Sequence, residues 1–364
     1  MTKCWLVFLL SVLSSSSISS SPSEGCGGPL LGQPGQHHTY SIQVSDPGQG
    51  EVTRDYILHL PANYDTSNSM AVPLVMDYHG WTGSADGQMN GLAWSEVADT
   101  DASGFIYVSM DGMSDVSGGG SYGSWNVSAT QGPLGPTCDP NLGGAYPCYT
   151  SCDVSGGCSY LENSCDWTSC HDDVAYTEAV LYDITSKLCL DTDQIHVTGY
   201  SNGGMFIWTR IMERLAGTVA SAGTVASSPL RGFNPMPEAP LSIIDFHGLT
   251  DTVIPPSPDV PGNLGPGPDM TTETLDGYYY HIKMDHLIKV MASMNCGQTS
   301  SPYPTAMDGV DGFSCQIWTG CDGGNEVVHC EGNHGHDYPF YGTDRTEGLK
   351  ILWDFMKVHT NSKQ

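Results

Sequence analysis

The chain has 364 residues, 39% of them hydrophobic, which is enough for one large α/β domain or two small ones. Its formal net charge is −28, with only 12 lysines and arginines against 40 aspartates and glutamates. A surface of this charge repels nucleic acids and anionic membranes, so neither is expected as a partner.

Residues 1–21 have the pattern of an export signal. Lys3 supplies a positive start, residues 5–13 are mostly apolar, and a serine-rich stretch follows. The apolar run is shorter than the ~20 residues needed to span a bilayer, which disfavours the alternative of a membrane anchor. We therefore expect a signal peptide that is cleaved between Ser16 and Ser23, and a secreted, soluble, extracellular mature protein.

The cysteine count also favours export. Of the 13 cysteines, Cys4 lies in the signal, which leaves an even number. An even count in an exported chain predicts disulfides. Zinc is the alternative, because Cys148 and Cys152 have ligand-like spacing, but no paired C-x-x-C units or clustered histidines accompany them, and no metal is expected. Asn126 begins a sequon for N-glycosylation, which has meaning only in a eukaryotic host.

Short apolar runs alternate with amphipathic stretches along the rest of the chain, without an internal repeat or a linker. Strands are predicted at 52–60, 73–78, 105–110, 195–200, 241–246 and 327–330, and helices at 172–188, 203–215 and 346–359. Residues 112–170 are rich in Cys and Gly and lack periodicity, which predicts a disulfide-pinned loop region that shapes a binding site. The pattern predicts a single α/β domain over 22–364, with a mainly parallel central sheet and helices on both faces.

A candidate nucleophile lies in the segment Gly199-Tyr200-Ser201-Asn202-Gly203, which matches the G-x-S-x-G pattern. Such a serine occupies a sharp turn between a buried strand and a helix. A second match surrounds Ser121, but it lies in a glycine-rich loop with neither element beside it. We therefore predict Ser201 as the nucleophile; the alternative is an ordinary glycine-rich helix start.

A serine hydroxyl needs a histidine base and an acid that orients the histidine. In the α/β-hydrolase fold the chain order is Ser, acid, His, with the last two in loops after later strands. Asp251 is the predicted acid, and Asp245, inside the preceding strand, is its rival. His334 and His336 both fit the base, and spacing does not choose between them. His247 comes too early and is expected to be structural.

Ester hydrolysis also needs donors directed at the developing oxyanion. The turn at Ser201 offers the backbone N–H of Asn202. The second donor is expected from the loop after an early strand, where His79-Gly80-Trp81 stands, and we assign it to the Trp81 N–H. The Trp81 indole either lines an acyl pocket or is a buried core aromatic.

Together these motifs resemble the family of secreted feruloyl esterases and poly(3-hydroxybutyrate) depolymerases over residues 40–359. The matching segments are 79–82, 172–174, 199–205, 247–255, 315–330 and 335–339. The family's last motif, Gly-His-x-Trp-Pro, selects His336 over His334, with Tyr338 in the Trp place. The resemblance also implies that Cys165 and Cys170 form structural disulfides near the site. Asp172 and Asp173 are expected at a helix start, and no catalytic role is assigned to them.

The resemblance implies an α/β-hydrolase fold and a serine carboxylic ester hydrolase that works through an acyl-enzyme and needs no cofactor. Feruloyl or related esters of plant cell-wall polysaccharides are the first expectation, hydroxyalkanoate polyesters the second and acetylated xylan the third. The chain ends soon after its last predicted helix, so no appended binding module is expected. The alternative outside enzymes is a catalytically silent binding protein of this fold, although all three triad positions are filled. A metalloenzyme is disfavoured because H-E-x-x-H is absent. The sequence makes no prediction of the oligomeric state.

Overall fold

The computed structural model describes residues 21–116, 119–127, 131–132, 135–139, 141, 146, 149–155, 167–233, 236–303, 313–338 and 345–361. Apart from Ser21, the expected signal peptide lies outside the described residues, and so do Ser128 of the sequon, Cys148 and Cys165. No helix in the described ranges is long and apolar enough to cross a bilayer.

Strands and helices alternate along the chain. The strands are β1 (His37–Asp46), β2 (Gly50–His59), β3 (Val72–Tyr78), β4 (Ile106–Met110), β5 (Gln131–Gly132), β6 (Gly135–Pro136), β7 (Leu190–Tyr200), β8 (Ser221–Val225), β9 (Ser242–Gly248), β10 (Gly265–Gly267), β11 (Thr271–Glu273), β12 (Tyr279–His281), β13 (Ser301–Pro302), β14 (Ser314–Trp318) and β15 (Val327–Gly332). The helices are α1 (Ala85–Gly91), α2 (Trp94–Thr100), α3 (Thr150–Ser155), α4 (Asp173–Thr185), α5 (Asn202–Phe206), α6 (Met212–Arg214), α7 (Lys283–Ser293) and α8 (Arg345–Met356).

Ten of these strands form one sheet, in the order β1-β2-β4-β3-β7-β8-β9-β15-β14-β13. Strands β4, β3, β7, β8, β9 and β15 run parallel and occupy its centre. Antiparallel pairs complete it on both sides. This is the mainly parallel sheet of the α/β-hydrolase fold, as the sequence predicted. The carboxyl ends of the central strands meet along one end of the sheet, where ligands bind in open α/β sheets.

Both faces of the sheet are covered by helices. Every residue of β3 is buried, as expected for a parallel strand between two layers. Leu74 and Met76 join an apolar cluster with α4, α5 and α7, whereas Val75 joins another with α1, α2 and α8. Alternate side chains of one strand thus enter two separate cores, and the prediction of helices on both faces is confirmed.

Several elements differ from the predicted ones. The helix predicted at 203–215 is divided into α5, a π-helical turn at Ile207–Ile211, and α6. Thr209 donates its hydroxyl to the Met205 carbonyl (2.8 Å), a bond that competes with the regular helical ladder. The 112–170 region contains α3 and the short pair β5–β6, so it is less irregular than predicted.

The helix α4 starts on two acidic residues, as expected. Asp172 caps it by accepting a hydrogen bond from the Ala175 N–H (2.9 Å). Asp173 is buried, forms an ion pair with Arg54 (2.8 Å) and accepts the backbone N–H of Asn126 (2.7 Å). Both carboxylates therefore stabilise the helix start and the loop beside it.

The prediction of disulfides is confirmed. Within the described residues the bridges are Cys26–Cys189, Cys152–Cys170, Cys296–Cys321 and Cys315–Cys330. Cys152 is therefore a disulfide partner and not a zinc ligand. Cys170 forms a structural bridge just before α4, as the family resemblance implied, while Cys165 lies outside the described residues.

Candidate active site

Ser201 occupies a sharp turn between β7 and α5. Its backbone has φ 53° and ψ −118°, a positive φ that non-glycine residues rarely adopt and that is typical of functional turns. Gly203 is required next to it, because a Cβ there would lie 2.0 Å from the Tyr78 carbonyl oxygen. The Ser201 N–H donates to the Val225 carbonyl of β8 (2.9 Å). The turn thus projects the serine from the end of a central strand.

Three loops bring Ser201, His336 and Asp251 together. His336 Nε2 lies 2.9 Å from Ser201 Oγ, and His336 Nδ1 lies 2.8 Å from Asp251 Oδ2. Asp251 follows β9 and His336 follows β15, so both lie at the carboxyl ends of parallel strands. The Nδ1 atom of His334 instead lies 3.0 Å from the Gly335 carbonyl oxygen of its own loop. Of the two candidate histidines, the structure therefore places His336 at the serine.

Asp251 is fully buried and held as a carboxylate. Its Oδ1 accepts the backbone N–H groups of Val253 (2.8 Å) and Ile254 (2.9 Å). Burial raises the pKa of Asp251, but hydrogen bonds from His247 and His336 outweigh burial and hold the pKa well below its ordinary value. Asp251 therefore stays ionised near neutral pH and fixes the His336 ring through Nδ1.

His247 lies behind Asp251. Its Nε2 is 2.7 Å from the Ile254 carbonyl oxygen and 3.5 Å from Asp251 Oδ2. Burial lowers the pKa of His247, so the ring is neutral near pH 7 and supports the turn that carries Asp251. This position fits the structural role expected for it.

Asp245, the rival acid, has different partners. Its Oδ1 accepts hydrogen bonds from Lys283 Nζ (2.9 Å) and Thr224 Oγ1 (2.6 Å), and its Oδ2 from His329 Nδ1 (2.8 Å). Burial raises the pKa of Asp245, but the effects of Lys283 and His329 are larger together, so the pKa lies below its ordinary value and the carboxylate stays charged. Asp245 thus belongs to a buried ionic cluster inside the sheet, with Lys283 and His329, and does not contact His336.

The loop after β3 packs directly against Ser201. A Cβ on Gly80 would lie 2.9 Å from the Tyr200 ring and 3.4 Å from Ser201 Cβ. The Gly80–Trp81 peptide is therefore next to the serine. Within the described part of the chain, neither the Trp81 N–H nor the Asn202 N–H has a hydrogen-bond acceptor. The two predicted oxyanion donors thus belong to residues that adjoin the serine turn.

The His79 side chain fixes this loop. The sequence did not predict this role, although His79 begins the segment His79-Gly80-Trp81. The Gly112 N–H donates to His79 Nε2 (2.9 Å), so Nδ1 carries the proton and donates to the Gly80 carbonyl (2.7 Å). Burial lowers the pKa of His79 to about 4, which keeps this neutral tautomer. Because the Gly80 C=O and the Trp81 N–H belong to one planar peptide and point in opposite directions, the bond sets the direction of the Trp81 N–H.

Ser201 and His336 open into a cavity of about 240 Å³. Its other lining residues are mostly aromatic or aliphatic: Trp81, Tyr146, Trp167, Tyr200, Val253, Ile254, Asp276, Tyr278 and Tyr280. The Trp81 ring contacts the rings of Tyr146 (5.5 Å between centroids) and Trp167 (6.2 Å), and its Nε1–H donates to the Tyr149 hydroxyl (2.9 Å). Trp81 is therefore a wall of the cavity, and the 112–170 region supplies two more aromatic walls.

The chain thus has an α/β-hydrolase fold in which a serine, a histidine and an aspartate form one hydrogen-bonded chain at the carboxyl end of the sheet. Among curated proteins it is similar to feruloyl esterase B of Piromyces equi, with 27% identity over 307 residues. The aligned part is 84% of this chain but 45% of the relative, so the chain spans a little under half of that relative's length. This identity over most of the chain confirms the resemblance to feruloyl esterases that the motifs indicated. No family model matches the chain.

Solved esterases show more distant likenesses. The acetyl xylan esterase from Aspergillus awamori has a TM-score of 0.47 and 14% identity, covering 87% of this chain and 98% of that chain. The ferulic acid esterase from Anaeromyces mucronatus, solved with ferulic acid, has a TM-score of 0.45 and 12% identity, covering 96% and 93%. The fold assignment rests on the sheet order described above.

Proposed function

We propose that the chain is a secreted serine ester hydrolase, with one catalytic domain, that acts on feruloyl or related esters of plant cell-wall polysaccharides. The observation that carries this proposal is the hydrogen-bonded chain Ser201–His336–Asp251 at the mouth of a cavity walled by aromatic rings. The similarity to a feruloyl esterase supports the same substrate class.

The proposed reaction proceeds through an acyl-enzyme. Ser201 Oγ attacks the ester carbonyl carbon while His336 Nε2 takes its proton, and Asp251 stabilises the imidazolium. The N–H groups of Trp81 and Asn202 donate to the oxyanion. The C–O bond to the alcohol then breaks, and His336 returns the proton to the leaving oxygen. Water, deprotonated by His336, attacks the acyl carbon and releases the acid and Ser201.

The size and lining of the cavity favour an aromatic acyl group over the other candidates. At about 240 Å³ the cavity suits a single small acyl group, and aromatic walls stack favourably on a planar ring. An acetyl group would leave these walls without a partner, which ranks acetylated xylan lower. A polyester of hydroxyalkanoates offers no ring to stack. A silent binding protein is disfavoured because the triad is fully hydrogen-bonded.

Covalent labelling tests the proposed nucleophile. A fluorophosphonate ester should modify one serine per chain: the Ser201 Oγ–P bond forms and fluoride leaves, which peptide mass spectrometry detects. The same protein should hydrolyse methyl ferulate and p-nitrophenyl acetate, and labelling should abolish both activities. A folded protein that is neither labelled nor active on short and aromatic esters would instead support the binding-protein alternative.

Export is proposed from the disulfides between described residues and from the N-terminal pattern, because disulfides persist in oxidising compartments. N-terminal sequencing of the protein collected from the medium should show a start between Ser16 and Ser23. A protein that stays in the cell with Met1 intact would contradict export.

A further inference from the structure

Asp276 is the one acidic residue that lines the cavity in the described part of the chain. It lies in the turn between β11 and β12. The turn itself is closed by backbone bonds, from the Gly277 N–H to the Thr274 carbonyl (2.9 Å) and from the Thr274 N–H to the Tyr278 carbonyl (3.0 Å). The carboxylate is therefore not needed to close the turn.

Two hydroxyl groups hold the Asp276 carboxylate in place. Tyr146 donates to Oδ2 (2.6 Å) and Thr274 donates to Oδ1 (2.5 Å). Among the described residues, no lysine, arginine or histidine forms an ion pair with Asp276. Each carboxylate oxygen keeps acceptor capacity after one bond. The group is thus held in place and able to accept a further hydrogen bond.

The position of Asp276 relates it to the reacting end of the cavity. The Tyr146 ring contacts the Trp81 ring (5.5 Å between centroids) and the Tyr278 ring (5.7 Å). Trp81 follows Gly80, which packs on Ser201. The Tyr146 ring therefore lies between Asp276 and the Trp81 wall, and Asp276 and Ser201 line the same cavity.

We propose that Asp276 accepts a hydrogen bond from a hydroxyl group of the substrate and so selects hydroxylated esters. This inference rests on the function proposed above. A hydroxyl that donates to a carboxylate forms a charge-assisted bond, stronger than a neutral one, and an analogue without the hydroxyl leaves the carboxylate facing an apolar group. The donor has two sources in this substrate class: a phenolic hydroxyl on the acyl ring, or a sugar hydroxyl on the alcohol side.

Substrate pairs that differ by one group test the inference. For the acyl ring, kcat/KM is compared between methyl p-coumarate and methyl cinnamate, which lacks the hydroxyl. For the sugar, it is compared between 5-O-feruloyl arabinose and methyl ferulate. We expect the native protein to prefer the hydroxylated member of at least one pair by roughly tenfold to a hundredfold. Asp276→Ala should reduce that preference to within about threefold, and Asp276→Asn to an intermediate value, because a neutral acceptor is weaker.

The ratio within a pair is insensitive to the amount of active protein, so partial misfolding of a variant does not imitate the effect. Glu273→Gln is the matched control: it removes an acidic charge from β11 outside the cavity and should keep the native preference. Loss of the preference within the first pair in Asp276→Ala would identify the phenolic hydroxyl as the donor to Asp276. Loss within the second pair would identify the sugar hydroxyl as the donor. Unchanged preferences in Asp276→Ala for both pairs would overturn the inference.

A binding measurement separates this inference from the proposed function. In the Ser201→Ala background, calorimetry gives the Kd of both members of each pair without turnover. The native Asp276 should bind the hydroxylated ester of one pair roughly tenfold more tightly, and Asp276→Ala should not. If the native protein does not hydrolyse esters but the difference in Kd is found, the proposed hydrolase function is rejected and the role of Asp276 stands. If both members of each pair bind equally well whether residue 276 is Asp or Ala, the role of Asp276 is rejected, whether or not the protein hydrolyses esters.

Discussion

Replacing Ser201 by alanine should lower kcat/KM for p-nitrophenyl acetate and methyl ferulate by at least about 10⁴-fold. Without Oγ no acyl bond forms, and the proton acceptor His336 (2.9 Å away) has no proton to take. The residual rate should come from the proposed oxyanion donors, the Trp81 and Asn202 amides, and from substrate binding. Initial rates over a range of substrate concentrations measure the loss, and thermal unfolding checks that the variant is folded.

The second G-x-S-x-G match, around Ser121, supplies the matched control for Ser201→Ala. Ser121 is exposed, and Ser121→Ala should leave the activity unchanged. Activity that survives in Ser201→Ala but disappears in Ser121→Ala would show that Ser121, and not Ser201, is the nucleophile.

Asp251→Asn should lower kcat by roughly 10⁴-fold, because the amide no longer selects the His336 tautomer that can accept the serine proton.

Replacing Asp77 by asparagine should raise the stability of the protein by up to about 4 kcal/mol above pH 7, and by little near pH 4. Asp77 is fully buried in β3, where the Tyr107 hydroxyl donates to Oδ2 (2.9 Å). Burial raises the pKa of Asp77 from 3.8 to about 7. A carboxyl whose pKa is raised by folding favours the folded state at low pH, and this advantage is lost as pH rises from 3.8 through 7.

Denaturant unfolding at several pH values measures the effect. The free energy of unfolding of the native protein should fall relative to Asp77→Asn as pH rises from 4 to 8. Asp259→Asn, which removes the same charge from an exposed position, controls for the decrease in net negative charge. A constant difference between Asp77→Asn and the native protein over this range would show that Asp77 does not titrate there.

The sequence predicted those parts of the site whose order along the chain is fixed by the fold. Ser201 follows from a local motif between a strand and a helix, and Asp251 from the loop after the next predicted strand. His336 is different: local spacing left it level with His334, because both follow β15, and only the family motif selected it. The strand β8 was not predicted, because its residues Ser221–Val225 are mostly small and show no strand-like alternation.

The residues that were missed owe their places to contacts between distant segments. Tyr146 and Asp276 meet across 130 positions of the chain, and neither stands in a periodic or motif context. The role of the His79 side chain depends on Gly112, which reaches it from the loop after β4. No local pattern encodes such contacts, so the sequence alone does not bring Tyr146 to Asp276 or give the His79 side chain its role.

The bridges Cys26–Cys189 and Cys315–Cys330 are attached to strands that lead to the site, since Cys189 immediately precedes β7 and Cys330 lies in β15. The first closes a segment of 163 residues, which in the chain-entropy model restricts the unfolded ensemble by roughly 5 kcal/mol. The strands that carry Ser201 and lead to His336 are therefore fastened covalently once these bridges have formed. A recombinant host that folds the chain in a reducing cytosol omits this step, so oxidising conditions belong in any preparation meant for kinetics.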